Sequence, residues 1–350
     1  MIDWTTAVLP YTHDEPINGG SVLSISQHGE IEWETKKQLS VRGSYESNLL
    51  IRTNENCRHL DGSYSHIYVD GNFVKFHQGH NLFGTNDLMG LVSETYYKIV
   101  ELLALTPTDL DYNFVNTGWY ALKRVDCTMM VDLMTLENVE AFLYAAESLA
   151  HWKHRGQAIN SKGTLYFAKT SRRSSLKMYA KGKEILAKGH TLPLELITPE
   201  LLAWVNPKLR LEFVLRSMGL KDKNLDYGFN WRDNKTPVEI LYEALESLNM
   251  SEKHTISPEN LMNLSPRLRL AYNSWIDGYD LKTILPQKTF YRYRNELKNF
   301  GIDIAVKQGN RTELAANIVE FRKILRPQPC EQIPSWAIGT PLYFEPRKFG

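Results

Sequence analysis

Cysteine is scarce in this sequence: Cys57, Cys127 and Cys330 stand alone among 350 residues, and no C-x-x-C pair occurs. That excludes a disulfide framework and a cysteine-ligated zinc site, and a reducing compartment fits best. Excess charge is missing too. With 41 Lys+Arg against 40 Asp+Glu the formal charge is +1, so any surface for nucleic acid has to be local. No apolar run reaches the length of a membrane span, and the opening MIDWTTAVLPY has no basic segment followed by an apolar one. The expectation is a cytosolic chain, full length as written, with no membrane segment. What remains is ordinary for a soluble globular protein, with 43% apolar and 23% charged residues, and the length suits one large domain plus a smaller one.

The first 80 residues alternate apolar and polar positions between Gly, Asn and Asp, as in Ser21 to Ser26, Glu30 to Thr35 and His66 to Phe76, and predict strands. Val69-Asp70-Gly71-Asn72 reads as a hairpin turn. Helical spacing follows at Leu88, Leu91, Val92, Ile99, Leu102 and Leu103, and again at Leu136, Val139, Phe142, Leu143, Ala146 and Leu149. Around the second helix lie the strand-like segments ALKRVDCTMMV, GTLYFAK, LKMYAK and KLRLEFVLRS. The predicted class is α+β, a mostly antiparallel sheet with helices packed on one side, over residues 1–220. Residues 221–235 read as a linker. Residues 236–326 read as a mainly helical region, with a capping box at Thr236-Pro237-Val238-Glu239 and helix starts at Ser257-Pro258 and Ser265-Pro266. Residues 327–350, with Pro327, Pro329, Pro334 and Pro341, read as an irregular tail.

The local polycation lies between Lys153 and Lys183, where Lys153, Arg155, Lys162, Lys169, Arg172, Arg173, Lys177, Lys181 and Lys183 occur without one acidic residue. Trp152, Tyr166, Phe167 and Tyr179 are interleaved with them. Such a segment suits phosphate contacts and base stacking along a single strand, the alternative being a solvated lysine-rich hairpin. If LKMYAK is a strand, Leu176, Met178 and Ala180 face the core and Lys177, Tyr179 and Lys181 the opposite side. Cations on both sides of a tyrosine would favour phenolate and neutralise a phosphate under attack. A half-buried packing tyrosine is the plainer alternative. The same period places Asp126 of RVDCTMM and Glu212 of KLRLEFVLR on faces away from the core. Two carboxylates and a nearby imidazole can share a divalent ion that polarises a phosphate, with His80 or His77 as the imidazole. Ordinary cross-strand pairing with Arg124 or Arg210 is the alternative for each carboxylate. No His-apolar-His triplet is present.

Several blocks, in order, carry a family resemblance. They are MID and its following strand, Gln78-Gly79-His80-Asn81-Leu82-Phe83-Gly84-Thr85, Arg124-Val125-Asp126-x-Thr128, Tyr179-x-Lys181-x-x-Glu184, Arg210-Leu211-Glu212, and Phe290-Tyr291-Arg292-Tyr293 with Gly301-Ile302. Over most of its length the chain resembles the filamentous phage (inovirus) replication initiators, the gene II protein family, and more distantly the plasmid rolling-circle initiators. The resemblance implies a site-specific nick in the viral plus strand at the origin, a 3′ hydroxyl that primes synthesis, and later rejoining. It also implies a covalent 5′-phosphotyrosine on Tyr179, with host helicase and DNA polymerase as partners in the host cytoplasm. To this we add Lys181 as charge stabiliser and His80, Asp126 and Glu212 as ligands of Mg2+ or Mn2+. A non-catalytic origin-binding repressor on the same fold is the alternative, and Tyr166 is left without a role.

In the helical region, Leu268, Tyr272, Trp275 and Ile276 share one helix face, Gly278 marks a turn, Leu281 to Leu285 form a short element, and Thr289 opens another helix. The pattern is helix-turn-helix-like and would place Gln287, Lys288, Arg292 or Arg294 on duplex DNA. A packing module with a wet basic face is the alternative. Tyr291 and Tyr293 cannot both face DNA.

Overall fold

The computed structural model describes residues 1–152, 156–187, 192–249, 261–300, 302, 304–305 and 333–347. The expected Ser257-Pro258 helix start, Lys153, Arg155 and Cys330 lie outside them.

Strands β1 (Ile2–His13), β2 (Ser21–Ile25), β3 (Ile31–Lys36), β4 (Leu39–Arg42), β5 (Asn48–Thr53) and β6 (Tyr64–Asn72) precede β7 (Ala121–Asp132). Then come β8 (His151–Trp152), β9 (Gly156–Gln157), β10 (Ile159–Ser161), β11 (Thr164–Phe167), β12 (Ser174–Ala180), β13 (Lys208–Arg216) and β14 (Leu248–Asn249). Among the described residues nine of these form one sheet in the order β10-β11-β12-β13-β7-β1-β6-β5-β4, every pairing antiparallel. The period of two divides its faces as expected. Leu176 and Met178, Leu209, Leu211 and Phe213, and Val125 and Cys127 point into one core. Helices α1 (Phe73–Gln78), α2 (Leu88–Leu103), α3 (Asp109–Thr117) and α4 (Leu136–Leu149) cover that face through residues such as Phe73, Leu91, Val92, Val115 and Phe142. Each fully buried Leu, Val or Phe contributes on the order of 2 kcal/mol. The fold is thus α+β, with helices on one side of an antiparallel sheet.

Three expectations are corrected. The Asp70-Gly71 pair makes no hairpin, because β6 runs straight on into α1, with Asn72 accepting from the Lys75 amide as helix cap. Gly71 serves the strand instead, with a φ of 153° and a Cβ position that would lie 2.5 Å from Leu49 Cδ2. Residues 221–235 are not a free linker. The Leu122 amide bonds to the Asp226 carbonyl, and Trp231 is buried with its indole N–H on the Leu225 carbonyl at 2.9 Å. Finally, the shorter helices α5 (Lys181–Glu184), α6 (Pro199–Val205) and α7 (Ser217–Asp222) lead to α8 (Thr236–Glu246), which belongs to the first unit rather than the second. Its Ile240, Leu241, Ala244 and Leu245 join the main core. It begins at Thr236 with Lys235 in the cap position, one residue before the expected start at Pro237, and the expected capping box does not form.

A separate core holds α9 (Pro266–Ile276), α10 (Leu281–Ile284) and α11 (Gln287–Lys298), with Leu268, Tyr272, Trp275, Phe290, Tyr293 and Leu297 inside. Ser265 caps α9, as its Ser-Pro signal implied. Residues 333–347 are largely irregular, as expected, but they strap back onto the first unit. Arg347 pairs with Glu94, Phe344 stacks on His77 at 4.0 Å, and Trp336 packs edge-on against Phe83.

Candidate active site

The sheet's other face is polar, and one end of it gathers the groups that chemistry on a phosphate would need. β12 and β13 pair with Lys177 opposite Glu212 and Tyr179 opposite Arg210. The Tyr179 hydroxyl donates to Glu212 Oε1 at 2.5 Å, and Lys177 Nζ donates to Oε2 at 2.7 Å. Arg210, wholly buried, brings Nε to 3.7 Å from Glu212 and a terminal nitrogen to 3.4 Å from Asp3 Oδ2. Among the described residues its Nε has no hydrogen-bond partner.

Asp3 leads on to the loop after α1. Asn81 donates to both Asp3 oxygens at 3.2 Å, and Lys181 Nζ donates to Asn81 Oδ1 at 3.0 Å. β12 ends at Ala180, so Lys181 opens α5 rather than extending the strand. Its ammonium still lies 5.7 Å from the centroid of the Tyr179 ring and pairs with Glu184 at 2.7 Å.

Charge in this cluster runs against one expectation. Burial, reinforced by the Glu212 carboxylate, pushes the Tyr179 phenol up rather than down, so it keeps its proton. Burial also disfavours ionised Glu212, but Lys177, Arg210 and the hydrogen bonds from Lys177 and Tyr179 outweigh it and hold the carboxyl below its usual range. Lys181 is lowered by burial, with Glu184 opposing. A phenol at 8% exposure that donates to an ionised carboxylate has its proton acceptor already in place.

The other expected residues are distributed as follows. Asp126 lies on the same polar face, its oxygens taken by Arg124 at 2.7 and 2.6 Å, and burial raises it to about 6 despite that arginine. Asp126 faces Val214 and Glu212 faces Thr128 across β7 and β13, so the two carboxylates are diagonal neighbours. His80 does not join them. Its Nε2 donates to the Leu342 carbonyl at 2.8 Å while Nδ1 accepts from the Leu82 amide at 3.3 Å, and burial lowers it to about 4. His77 is tied to Thr95 at 3.0 Å and stacked on Phe344. Among the described residues no group of three His, Cys, Asp or Glu side chains is gathered around one point. The trio of His80, Asp126 and Glu212 therefore does not fit one ion, and the oxygens of the two carboxylates are already engaged by Arg124, Lys177 and the Tyr179 hydroxyl.

In the basic segment Lys162 and Arg172 are exposed, Arg173 pairs with Asp222, and Lys169 sits 4.4 Å over the Tyr166 ring. In α11, Gln287, Lys288 and Arg292 are exposed and Arg294 is half-buried. Tyr293 is the core residue and Tyr291 faces outward. Asp3, Asn81 and Arg210 were missed as site residues, although each stands in a block that carried the family resemblance.

Family models for the phage replication-associated gene II protein match both parts of the chain, the N-terminal model over residues 1–234 and the C-terminal model over residues 256–345. The chain belongs to this phage replication-associated protein family. It is 39% identical over 337 residues to the replication-associated gene II protein of Enterobacteria phage I2-2, covering 96% of each chain. It also aligns with the rolling-circle replication initiator protein of Geobacillus stearothermophilus, at 12% identity and a TM-score of 0.31, over 74% of this chain and 89% of that one. No helix among the described residues is long and apolar enough to cross a membrane.

Proposed function

We propose that this gene II family protein initiates rolling-circle replication by nicking the viral plus strand at the origin, with Tyr179 as nucleophile. The observation that carries the reading is the Tyr179 hydroxyl on Glu212 at 2.5 Å, beside Lys177, Lys181 and Arg210. Tyr179 Oη attacks the scissile phosphorus while Glu212 takes the phenolic proton. The Oη–P bond forms, the P–O3′ bond breaks, and the departing 3′ oxygen takes up a proton. Lys177 and Arg210 supply positive charge where the phosphoryl oxygens gain negative charge. Rejoining runs the same exchange backward, with a 3′ hydroxyl attacking phosphotyrosine and releasing Tyr179.

Asp126 and Glu212 would hold Mg2+ or Mn2+ only once Arg124 and Lys177 give up carboxylate oxygens to it, and the ion when bound would polarise the phosphate. His80 is not included. Origin DNA is the proposed partner, held as a single strand by Lys162, Lys169, Arg172, Arg173 and Lys177 and as a duplex by Gln287, Lys288, Arg292 and Arg294. Host helicase and polymerase would follow at the freed 3′ end, in the host cytoplasm.

Supercoiled origin DNA incubated with the protein and Mg2+ should give nicked circles carrying protein on the 5′ end through Tyr179. If Tyr179→Phe nicks as well as the parent, the nucleophile is another residue. If neither protein nicks while both bind origin DNA, the chain is a binding repressor. Nicking unaffected by EDTA would remove the ion.

A further inference from the structure

The polar face continues well beyond Tyr179. Across β5, β6, β1 and β7 the register aligns Arg52 with Tyr68, Tyr68 with Val8, Asp70 with Thr6 and Thr6 with Arg124. The alternating residues Trp4, Thr6, Tyr68, Asp70, Arg124 and Asp126 thus share the face that carries Lys177 and Glu212, away from the helices. Two cation–aromatic stacks stand on it. The Arg124 guanidinium lies 5.1 Å from the Trp4 ring centroid, and Arg52 lies 4.7 Å from that of Tyr68. On the far side of Lys177, directly opposite it on β11, Tyr166 stacks with Lys169.

Trp4, Tyr68, Tyr166, Arg52 and Arg124 are all half-buried, so part of each side chain's surface is open. The Trp4 indole N–H is fixed on Asp70 Oδ1 at 2.9 Å, which sets the plane of the ring. Charge is graded by depth. The Arg124 and Lys177 side chains are 31% and 24% exposed, whereas their partners Asp126 and Glu212 are 3% and 6% exposed. A ligand lying on the sheet meets cations and ring faces first, with the carboxylates beneath them.

We infer that this face is a track for single-stranded DNA, with Trp4, Tyr68 and Tyr166 as stacking platforms and Arg52 and Arg124 as phosphate contacts, running diagonally from Tyr68 to Tyr179. The inference rests on the proposed nicking reaction and names where the strand lies on either side of the broken bond. Single strands are held by base stacking on aromatic rings and by cations along the backbone, and every base has a ring face to offer. A duplex hides those faces. From strand spacing and rise the track is on the order of 30 Å long, enough for several nucleotides.

Binding is measured on Tyr179→Phe protein, so that no chemistry intervenes, by fluorescence anisotropy of a labelled 20-nucleotide oligothymidylate and of a 20-base-pair duplex. Trp4→Leu and Tyr68→Leu should each weaken oligothymidylate binding about tenfold, in line with stacking worth about 1–3 kcal/mol per base. Trp4→Phe and Tyr68→Phe should restore most of it, and duplex binding should change by less than about twofold. Tyr166→Leu, on the other flank, gives an independent arm if Trp4→Leu does not fold. The track is refuted if the leucine variants bind oligothymidylate like the parent, if duplex binding falls equally, or if the parent does not bind oligothymidylate. Since Tyr179 is already Phe, none of these outcomes bears on the covalent reading, which the 5′ adduct tests separately.

Discussion

The Tyr179 hydroxyl donates to a Glu212 carboxylate from the adjoining strand at 2.5 Å, and Lys177 occupies the other oxygen of the same carboxylate. The pairing follows from register alone: with Lys177 opposite Glu212, Tyr179 falls one step along the same face. Since burial and Glu212 keep the phenol protonated and the lysine and arginine keep the carboxyl ionised, the proton has one nearby destination.

Glu212→Gln therefore preserves the shape but removes the acceptor. General-base loss is worth typically about 10²–10⁴-fold, so single-turnover nicking should fall by about that much. Oligonucleotide affinity should stay within a few fold. A Gln variant that nicks at the parental rate would show that the proton leaves by another path.

His77 gives a pH test of packing. Burial, with Lys98 nearby, lowers it to about 3 from the ordinary 6.5, and the neutral ring is held between Thr95 and Phe344. A base depressed in the folded state stabilises fully above the unfolded value, and that stability is lost as pH falls toward the folded one. Between pH 7 and pH 5 the loss attributable to His77 is about 2 kcal/mol. Urea unfolding at both pH values should show the parent losing that much more stability than His77→Gln. Equal losses would mean the ring is already solvated.

Gly182 sets α5 against α6. A Cβ at this position would come 2.8 Å from Asn206 Cα and 3.0 Å from its carbonyl oxygen, and that backbone cannot yield as a side chain could. Overpacking of this kind costs about 1–3 kcal/mol. Gly182→Ala should lower thermal stability by that amount, and because Lys181 is the adjoining residue it should also slow nicking. An unchanged melting temperature would mean α6 is free to shift.

How legible was this in the sequence? Period-two alternation placed Lys177, Tyr179, Asp126 and Glu212 on one face, because in a one-sided antiparallel sheet the apolar face must be continuous. It could not bring in Asp3 or Asn81, whose contacts with Arg210 and Lys181 span 207 and 100 residues and leave no periodic mark. The Asp70-Gly71 signal misled for a local reason: the glycine answers to a φ of 153° and the approach of Leu49 within a continuous strand, which a turn statistic cannot distinguish from a turn. His80 was drawn to the site by its residue type alone, and tertiary packing gave both of its nitrogens to backbone groups instead. The opposite sign at Tyr179 has the same origin, since flanking lysines are visible in sequence and desolvation is not.

The helical region offers the last test. Gln287, Lys288 and Arg292 are exposed on α11 while Phe290, Tyr293 and Leu297 fill the core behind them, so the basic face can be altered at the loss of one contact to that core, the Arg292 guanidinium 5.2 Å from the Tyr293 ring centroid. Phosphate contacts by Lys or Arg each add about one unit to the slope of log affinity against log salt. Replacing Lys288 and Arg292 together by Ala should weaken binding of duplex origin DNA and lower that slope by about two, with oligothymidylate affinity left nearly as it was. A slope that does not move would make these three helices a packing module and leave duplex recognition to the first unit. A slope lowered with equal loss on unrelated duplex would make the face a backbone contact that reads no bases.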